Sequence, residues 1–165
     1  VRKEMWIGLK CGLKFMLNLN KILEEIKILP KWDTQICLQG TETIKDPFAG
    51  IGKAINLPEK EIEFKYTLFD LPYINSIIEE HNLYRVRLMK LKSKTCYSYH
   101  QDQGKRFHIP LITNDNCFFV VDDEIKRYPA DGNYYIVDTD KKHTAVNASW
   151  DDRIHIIGNL HDKTY

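Results

Sequence analysis

Short runs of apolar residues, separated by turn-forming residues, mark the C-terminal half of this chain. Runs at 107–111, 117–121 and 134–137 are rich in β-branched and aromatic side chains, with Asn, Asp, Gly and Pro between them. Several short strands joined by turns are typical of a β-sandwich or a jelly roll. The pattern therefore predicts a mainly β fold whose core spans residues 84–160.

Helical spacing of apolar residues occurs twice in the N-terminal half. Residues 20–27 predict a helix with Asn20 as its cap and Pro30 after its end. Residues 71–81 predict a second helix with Pro72 in its first turn, where the missing backbone N–H has no intrahelical partner to lose. We therefore expect helices that flank the β core.

The segments around these helices predict a strand, a loop and an extension. A short strand is expected at 35–39, and residues 40–58 form a long loop that we expect to lie over the mouth of a pocket, because such loops are often functional. Residues 5–17 are mostly apolar, but two lysines interrupt them and no signal-peptide cleavage site follows. We interpret them as a helix packed on the domain or a poorly ordered extension, within an N-terminal helical extension over residues 1–30.

Length and composition suit one compact domain. The 165 residues are 43% hydrophobic and 12% aromatic, enough to bury a substantial core, so residues 1–165 are expected to form a single domain. The formal net charge is +1 and the sequence pI is about 7.8, with acidic and basic residues interleaved. No global field favours nucleic acid or an anionic membrane, and neither is expected as a partner.

Cysteine usage indicates a reducing compartment. The chain has four cysteines, which show neither a C-x-x-C pair nor the spacing of a metal site: Cys11, Cys37, Cys96 and Cys117. We expect reduced thiols that act as small apolar side chains, and hence a cytoplasmic protein.

One local run is strongly basic, and it has two interpretations. Apolar residues alternate with five cations in Arg85-x-Arg87-x-x-Lys90-x-Lys92-x-Lys94. This alternation favours an amphipathic strand with one solvated basic face. The alternative is a basic rim that guides an acidic substrate, or a site in which Arg85 or Arg87 reaches into the pocket.

The candidate chemistry lies in a His-x-Asp pair followed by a distal His. His100, Asp102 and His143 have the spacing of a 2-His-1-carboxylate facial triad, which leaves coordination positions open on Fe(II) and so suits catalysis. Arg153 follows His143 by ten residues, and its planar guanidinium can hold a carboxylate of a 2-oxoacid through two hydrogen bonds. A His-x-Asp pair also occurs by chance, and it is the surrounding strand pattern that favours the metal site.

Several spaced motifs, in order, carry a family resemblance over residues 84–159. They are His100-x-Asp102, Arg106-x-His108-x-Pro110-Leu111, the turn Pro129-Ala130-x-Gly132 before a strand, and His143 with Arg153. The segment resembles the aspartyl/asparaginyl β-hydroxylase family of Fe(II)/2-oxoglutarate-dependent oxygenases. The resemblance implies a double-stranded β-helix (a cupin-like jelly roll), Fe(II) bound by His100, Asp102 and His143, 2-oxoglutarate held by Arg153, and O2 as the second co-substrate.

The same resemblance extends to Arg106 and His108, which match a family Arg-x-His that lies against the co-substrate or the substrate. We assign Arg106 to 2-oxoglutarate or substrate, since a buried arginine needs an anionic partner. His108 is either a co-substrate contact or a hydrogen-bonded core residue. His155 shares a strand face with Arg153 and either supports the site or fills the interior, and the polar surroundings of His81 and His161 predict surface positions.

Three classes of function compete. The first is an Fe(II)- and 2-oxoglutarate-dependent oxygenase, which alone needs Arg153. The second is a cupin-like isomerase or dioxygenase without 2-oxoglutarate, which commonly has a further His or Glu ligand, for which Glu124 is the candidate and is poorly spaced. The third is a jelly-roll binding protein with structural histidines.

Only the family resemblance limits the range of possible substrates. The family implies hydroxylation of an amino-acid side chain of the Asp, Asn or Pro type, free or in a peptide, and the small core favours a small molecule or an exposed peptide loop. Four aromatic residues near the site either line the pocket or belong to the core: Tyr97, Tyr99, Phe119 and Tyr135.

Overall fold

A computed structural model of the chain describes residues 16–161, in which two helices precede most of the strands. The helices are α1 (Leu19–Glu25) and α2 (Pro72–Glu80). The strands are β1 (Gln35–Cys37), β2 (Gln39–Gly40), β3 (Tyr66–Thr67), β4 (Leu83–Leu91), β5 (Thr95–Cys96), β6 (Lys105–Ile112), β7 (Cys117–Val121), β8 (Glu124–Lys126), β9 (Tyr135–Asp138), β10 (His143–Asn147) and β11 (Arg153–Leu160).

Two antiparallel sheets form a jelly roll. The larger sheet has the strand order β1-β4-β11-β6-β9, and the smaller has the order β5-β10-β7-β8, with β2 and β3 as a separate pair. Apart from β7 and β8, neighbours in the order are not consecutive in the chain, as in a double-stranded β-helix, so the predicted mainly β, cupin-like fold with flanking helices is confirmed.

The larger sheet has two different faces, because side chains alternate along each strand. One face packs against the helices and contributes Val86, Leu88 and Ile156 to the main hydrophobic core. The other face meets the smaller sheet, where Leu91 packs on Phe119 and its neighbours. On this inner face the register aligns Arg153 with Leu91, His155 with Met89 and Ile157 with Arg87. The interior between the sheets is therefore lined by charged and titratable side chains.

The predicted helices are present with small corrections. The second runs from Pro72 to Glu80, as expected. The first begins at Leu19, and its cap is Asn18, whose side chain accepts a hydrogen bond from the backbone N–H of Lys21, so the assignment of Asn20 as the cap is wrong. Glu25 at its end accepts hydrogen bonds from the first backbone N–H groups of α2, which joins the two helices. The apolar stretch at 5–17 lies largely outside the described residues.

The long loop after β2 is tied to the larger sheet. Its Gly50 and Gly52 carbonyls accept hydrogen bonds from the guanidinium of Arg85 on β4. A side chain at Gly50 would lie 2.6 Å from the Phe64 ring, so this close approach requires glycine. The expected role of residues 40–58 as a substrate loop stays a prediction.

The state of the cysteines and the character of the helices bear on the expectations drawn from the sequence. Cys37, Cys96 and Cys117 are free thiols, while Cys11 lies outside the described part of the chain. Among residues 16–161, no helix combines the length and apolar character that a membrane span requires.

Candidate metal centre

The fold brings His100 and His143 together from different parts of the chain. His143 begins β10, and His100 lies in the segment between β5 and β6. Each backbone N–H donates to the carbonyl of the other residue, at 3.0 and 2.7 Å, so the two form an isolated β-bridge. Their ring centroids are 4.4 Å apart. The backbone itself therefore sets the separation of the two imidazoles.

Asp102 completes the cluster from a turn. Its backbone N–H donates to the Thr139 carbonyl at 2.9 Å, and the Thr139 hydroxyl donates to the Gly104 carbonyl, which holds the turn against β9. The Asp102 Oδ2 lies 3.8 Å from His100 Nε2. One possible ligand atom from each of His100, Asp102 and His143 lies within 4.8 Å of the others.

The hydrogen bonds of the two imidazoles set their tautomers. His100 Nδ1 contacts the Ser98 carbonyl at 2.6 Å, and His143 Nδ1 contacts the Lys141 carbonyl at 2.9 Å. A carbonyl only accepts, so each Nδ1 carries the proton and each Nε2 keeps its lone pair for an ion. Burial lowers the pKa of His143, which keeps it neutral. Two imidazoles and one carboxylate are the donor set that a divalent ion such as Fe(II) accepts.

The cluster has an open side. His143 is 6% exposed, whereas the side chains of His100 and Asp102 are 36% and 46% exposed. The interior anchors the cluster through His143, and the other two side chains face solvent. An ion bound here would keep positions free for further ligands.

Arg153 lies inside the jelly roll, and the described part of the chain offers it no counter-charge. It begins β11 and is 1% exposed, with its guanidinium carbon 4.9 Å from the centre of the Phe119 ring. Its Nε and Nη1 have no hydrogen-bond partner among the described residues. Burial lowers its pKa to about 10, so it remains charged at neutral pH. A buried charge of this kind is costly unless an anion pairs with it, and a carboxylate fits a guanidinium.

One corner links His143 to Arg153. Asn147 ends β10, and its Nδ2 donates to the carbonyls of Leu91 and Asp151, while its Oδ1 accepts from Ser149. The chain thereby turns from the smaller sheet into the larger one over a short distance. Asn147 thus controls how the two predicted site residues are placed relative to each other.

His108 and His155 fill the interior beside Arg153. Their Nδ1 atoms are 3.3 Å apart, so the N–H of one donates a hydrogen bond to the nitrogen of the other. Burial and the positive charge of Arg153 lower the pKa of both well below the ordinary value, so both are neutral. His155 Nε2 has no partner among the described residues. The structure places both histidines in the interior beside Arg153, and their contact with a co-substrate stays a prediction.

Arg106 lies close to the predicted metal ligands with Glu61 nearby. Its Nη1 donates to the Gln103 carbonyl at 2.8 Å, and its Nη2 lies 4.0 Å from a Glu61 oxygen. Glu61 also pairs with Arg85 and accepts from Asn159 Nδ2. Burial alone would raise the pKa of Glu61, but the hydrogen bond from Arg85 and the charge of Arg106 outweigh it and hold this pKa below its ordinary value.

Sequence reasoning missed Glu61. This carboxylate lies in a single 3₁₀ turn, Glu61–Glu63, with no recognisable motif around it. Its partners are 24 to 98 residues away along the chain. No local signal identified it.

The structure corrects the interpretation of the basic run at residues 85–94. Arg85 and Arg87 are 2% and 6% exposed, so the favoured interpretation of a solvated basic face is wrong for them. Both faces of β4 are covered here, one by the main hydrophobic core with the helices and the other by the turn Glu61–Glu63 and the loop after β2, whose carbonyls accept from Arg85. Only the lysines of the run remain at the surface, where Lys92 pairs with Asp33.

The other candidate site residues, four aromatic residues and Glu124, differ in burial and position. Phe119 is buried under Arg153, Tyr97 and Tyr135 are half-buried, and Tyr99 is exposed. Glu124 is exposed and pairs with Lys126. In residues 16–161, the metal-binding cluster consists of His100, Asp102 and His143 and does not include Glu124.

His81 and His161, both predicted to lie at the surface, differ in their exposure. His161 is exposed, as expected. His81 is half-buried, with its ring 4.7 Å from Phe107 and 4.8 Å from Tyr134, so its predicted surface position is wrong.

Fold and site together define a cupin-type jelly-roll protein with a His, Asp, His cluster suited to a metal ion. A family model described as aspartyl/asparaginyl beta-hydroxylase matches residues 17–162, and the chain belongs to that family. The resemblance noted in the sequence is thereby confirmed. Family membership supports an enzyme of the hydroxylase type.

Solved structures show weaker likenesses. A protein from Photorhabdus luminescens matches with 18% identity and a TM-score of 0.39, over 47% of this chain and 62% of that one. A predicted oxalate decarboxylase from Thermotoga maritima matches with 15% identity and a TM-score of 0.40, over 52% and 72% of the two chains.

A cupin domain from Bordetella pertussis matches with 11% identity and a TM-score of 0.41, over 48% of this chain and 82% of that one. These likenesses are too weak to bear on activity. The comparison with curated proteins found no match to this sequence.

Proposed function

We propose that the protein is an Fe(II)- and 2-oxoglutarate-dependent oxygenase that hydroxylates an amino-acid side chain, free or in a peptide. In such a reaction one atom of O2 enters succinate, with loss of CO2 from 2-oxoglutarate, and the other becomes the hydroxyl group of the product. Bound Fe(II) would supply the activation of O2, chemistry that amino-acid side chains lack.

The observation that carries this proposal is the uncompensated guanidinium of Arg153. An isomerase or a decarboxylase that uses only the metal has no need of a buried cation inside the jelly roll. A 2-oxoacid does need one, because its distal carboxylate must be held while its other end chelates the metal. Two donor nitrogens of Arg153 without partners match this requirement.

In this proposal, different residues bind the metal and the co-substrate. His100, Asp102 and His143 would hold the metal through the two Nε2 atoms and a carboxylate oxygen. Arg153 would bind the distal carboxylate of 2-oxoglutarate, and Phe119 beneath it keeps water from that guanidinium. The neutral His108 and His155 add hydrogen-bonding capacity without adding charge.

The test is an anaerobic titration of the Fe(II)-loaded protein with 2-oxoglutarate, followed by the weak visible absorption of a chelated ferrous ion. We expect a saturable band in the wild type and no band in Asp102→Ala, which removes a metal ligand. In Arg153→Met the metal should still bind, while the affinity for 2-oxoglutarate should fall by about 2–5 kcal/mol.

A matched control removes an arginine at the surface. Arg127 is exposed and donates to the Asp115 carbonyl, so Arg127→Met should titrate as the wild type does. Fe(II) binding without a band in the wild type would contradict the proposal and favour a cupin enzyme without a co-substrate. Absence of Fe(II) binding would favour a jelly-roll binding protein.

A further inference from the structure

The inner face of the larger sheet carries more positive charge than the proposed co-substrate explains. Four arginines there are at most 7% exposed: Arg85, Arg87, Arg106 and Arg153. In residues 16–161, the ion pairs to these guanidinium groups come from Glu61, which serves Arg85 and Arg106. Two arginines, Arg87 and Arg153, are left without a counter-charge.

Arg85 and Arg106 already have partners. Arg85 donates to Glu61 and to the carbonyls of Gly50 and Gly52, so most of its donors are used. Arg106 donates to Gln103 and lies 4.0 Å from Glu61. Arg85 therefore has a structural role, holding the loop after β2 against β4.

Arg87 is different. Its Nη1 donates to Gln35 Oε1 at a long 3.3 Å, and that oxygen also accepts from the Gly52 N–H at 3.2 Å. Its Nε is buried and has no partner among the described residues. Burial and repulsion from Arg85 and Arg106 lower the pKa of Arg87 to about 10, so the guanidinium is still charged. Such a group is costly to the folded state unless an anion binds it.

Arg87 lies in the same interior as the predicted site. It aligns with Ile157 of β11, on the face that carries Arg153 and His155 towards the smaller sheet. Its charge acts on His108 and on Tyr97, and the charge of Arg153 acts on both as well. The two guanidinium groups, which have no counter-charge among residues 16–161, therefore lie in one interior at different positions along the sheet.

The charges of 2-oxoglutarate do not satisfy Arg87. One carboxylate is assigned to Arg153 and the other to the metal, so both are used. A second anion must then neutralise Arg87, and the substrate is the remaining molecule in the pocket. A carboxylate matches the two-pronged donor geometry of the guanidinium.

We propose that Arg87 binds a carboxylate of the substrate, which excludes an uncharged residue inside a peptide, and that this carboxylate is the α-carboxylate of a free amino acid. The inference rests on the proposed function, since it assumes that Arg153 is occupied by 2-oxoglutarate. Arg87 is then a specificity residue, with Gln35 orienting its guanidinium.

A surface cleft adjoins Gln35, the hydrogen-bond partner of Arg87. It has a volume of about 490 Å³, and Gln35 is part of its lining together with Trp32, Phe48 and Ile51. Gln35, which accepts a hydrogen bond from Arg87, is therefore accessible from solvent through this cleft. The cleft adjoins the loop at 40–58 that the sequence predicts to cover the pocket.

The test measures the thermal midpoint of the protein loaded with Mn(II) and saturating 2-oxoglutarate, on addition of each common free L-amino acid. For every acid that raises the midpoint, its α-carboxamide is measured as the uncharged match, and inorganic phosphate serves as a different anion. We expect at least one acid to raise the midpoint and its amide to fail. The half-maximal concentration should rise at least tenfold in Arg87→Met, and by less in Arg87→Lys, which keeps the charge but not the two-pronged geometry.

Arg127→Met, which removes one surface cation, should respond as the wild type does. The proposal is overturned if no acid raises the wild-type midpoint, if an acid and its amide act equally, or if Arg87→Met keeps the wild-type response. A response to phosphate and to no carboxylate would also overturn it. Circular dichroism of both Arg87 variants establishes that each is folded.

The same experiment separates this inference from the proposed function. The midpoint shift caused by 2-oxoglutarate itself, before any amino acid is added, should be lost in Arg153→Met. If 2-oxoglutarate produces no shift in the wild type, the proposed function fails. The effect of amino acids on the protein loaded with metal alone would then still decide whether Arg87 binds a carboxylate.

Discussion

At the scale of single residues, the pocket is built from groups whose surroundings oppose their charge. His108 and His155 are kept neutral by burial and by a nearby guanidinium, while Arg87 and Arg153 stay charged without a counter-charge among residues 16–161. A well-packed core would not contain these groups. Their presence agrees with the proposals that Arg153 and Arg87 each bind a carboxylate.

The buried histidines predict a pH dependence of stability. In the folded state His155 has a pKa well below 6.5, whereas in the unfolded chain it protonates near 6.5. The unfolded state therefore takes up a proton that the folded state does not, and stability falls as the pH drops below about 6.5. For one histidine the slope approaches about 1.4 kcal/mol per pH unit.

Urea unfolding of the wild type and of His155→Gln, at pH 7.5 and 5.5, measures this effect. The wild type should lose more stability than the variant over that interval, by about 1 kcal/mol. Equal losses in both proteins would show that His155 is not held neutral in the folded state.

At the scale of elements, the corner between β10 and β11 determines the relation of the metal cluster to Arg153. Asn147 is 1% exposed, and its side chain donates to two carbonyls and accepts from Ser149. We expect Asn147→Ala to lower the free energy of unfolding by about 2–3 kcal/mol, because buried partners lose their hydrogen bonds.

A weaker affinity for 2-oxoglutarate should accompany this loss, since the corner places Arg153. Equilibrium unfolding and the anaerobic titration measure the two effects. Asn116→Ala provides the control, because Asn116 is exposed in the neighbouring turn and its change should stay within about 0.5 kcal/mol. Unchanged stability in Asn147→Ala would contradict the role assigned to this corner.

The helices and strands were the part of the structure that the sequence predicted best. Cys117–Val121 forms a strand with the predicted bounds, and α2 begins at Pro72 as its sequence requires. These segments are decided locally, by β-branched and aromatic side chains and by a proline that suits a first helical turn. The helix at Leu19 differed because Asn18 and Asn20 are both suitable caps, and contact with α2 selects the first.

At the scale of the whole molecule, the site was only partly predictable. His100, Asp102 and His143 form a recognisable spacing, and the fold does bring them together. Arg87 was uncertain, because alternation along a strand does not say which face is buried. Glu61 could not be found, since its partners Arg85 and Asn159 approach it only in the folded chain.

The exposure of the cluster has a kinetic consequence. Because His100 and Asp102 are exposed by 36% and 46%, an ion held there can leave and return while the core stays closed. A chelator should therefore remove bound Mn(II) at a rate that is independent of urea at concentrations below the unfolding transition, and circular dichroism should be unchanged. A release rate that instead follows the unfolding rate would place the ion behind a barrier. If the ion exchanges in this way, the metal that the protein carries depends on the concentrations of metal ions in solution and not on which ion was bound during folding.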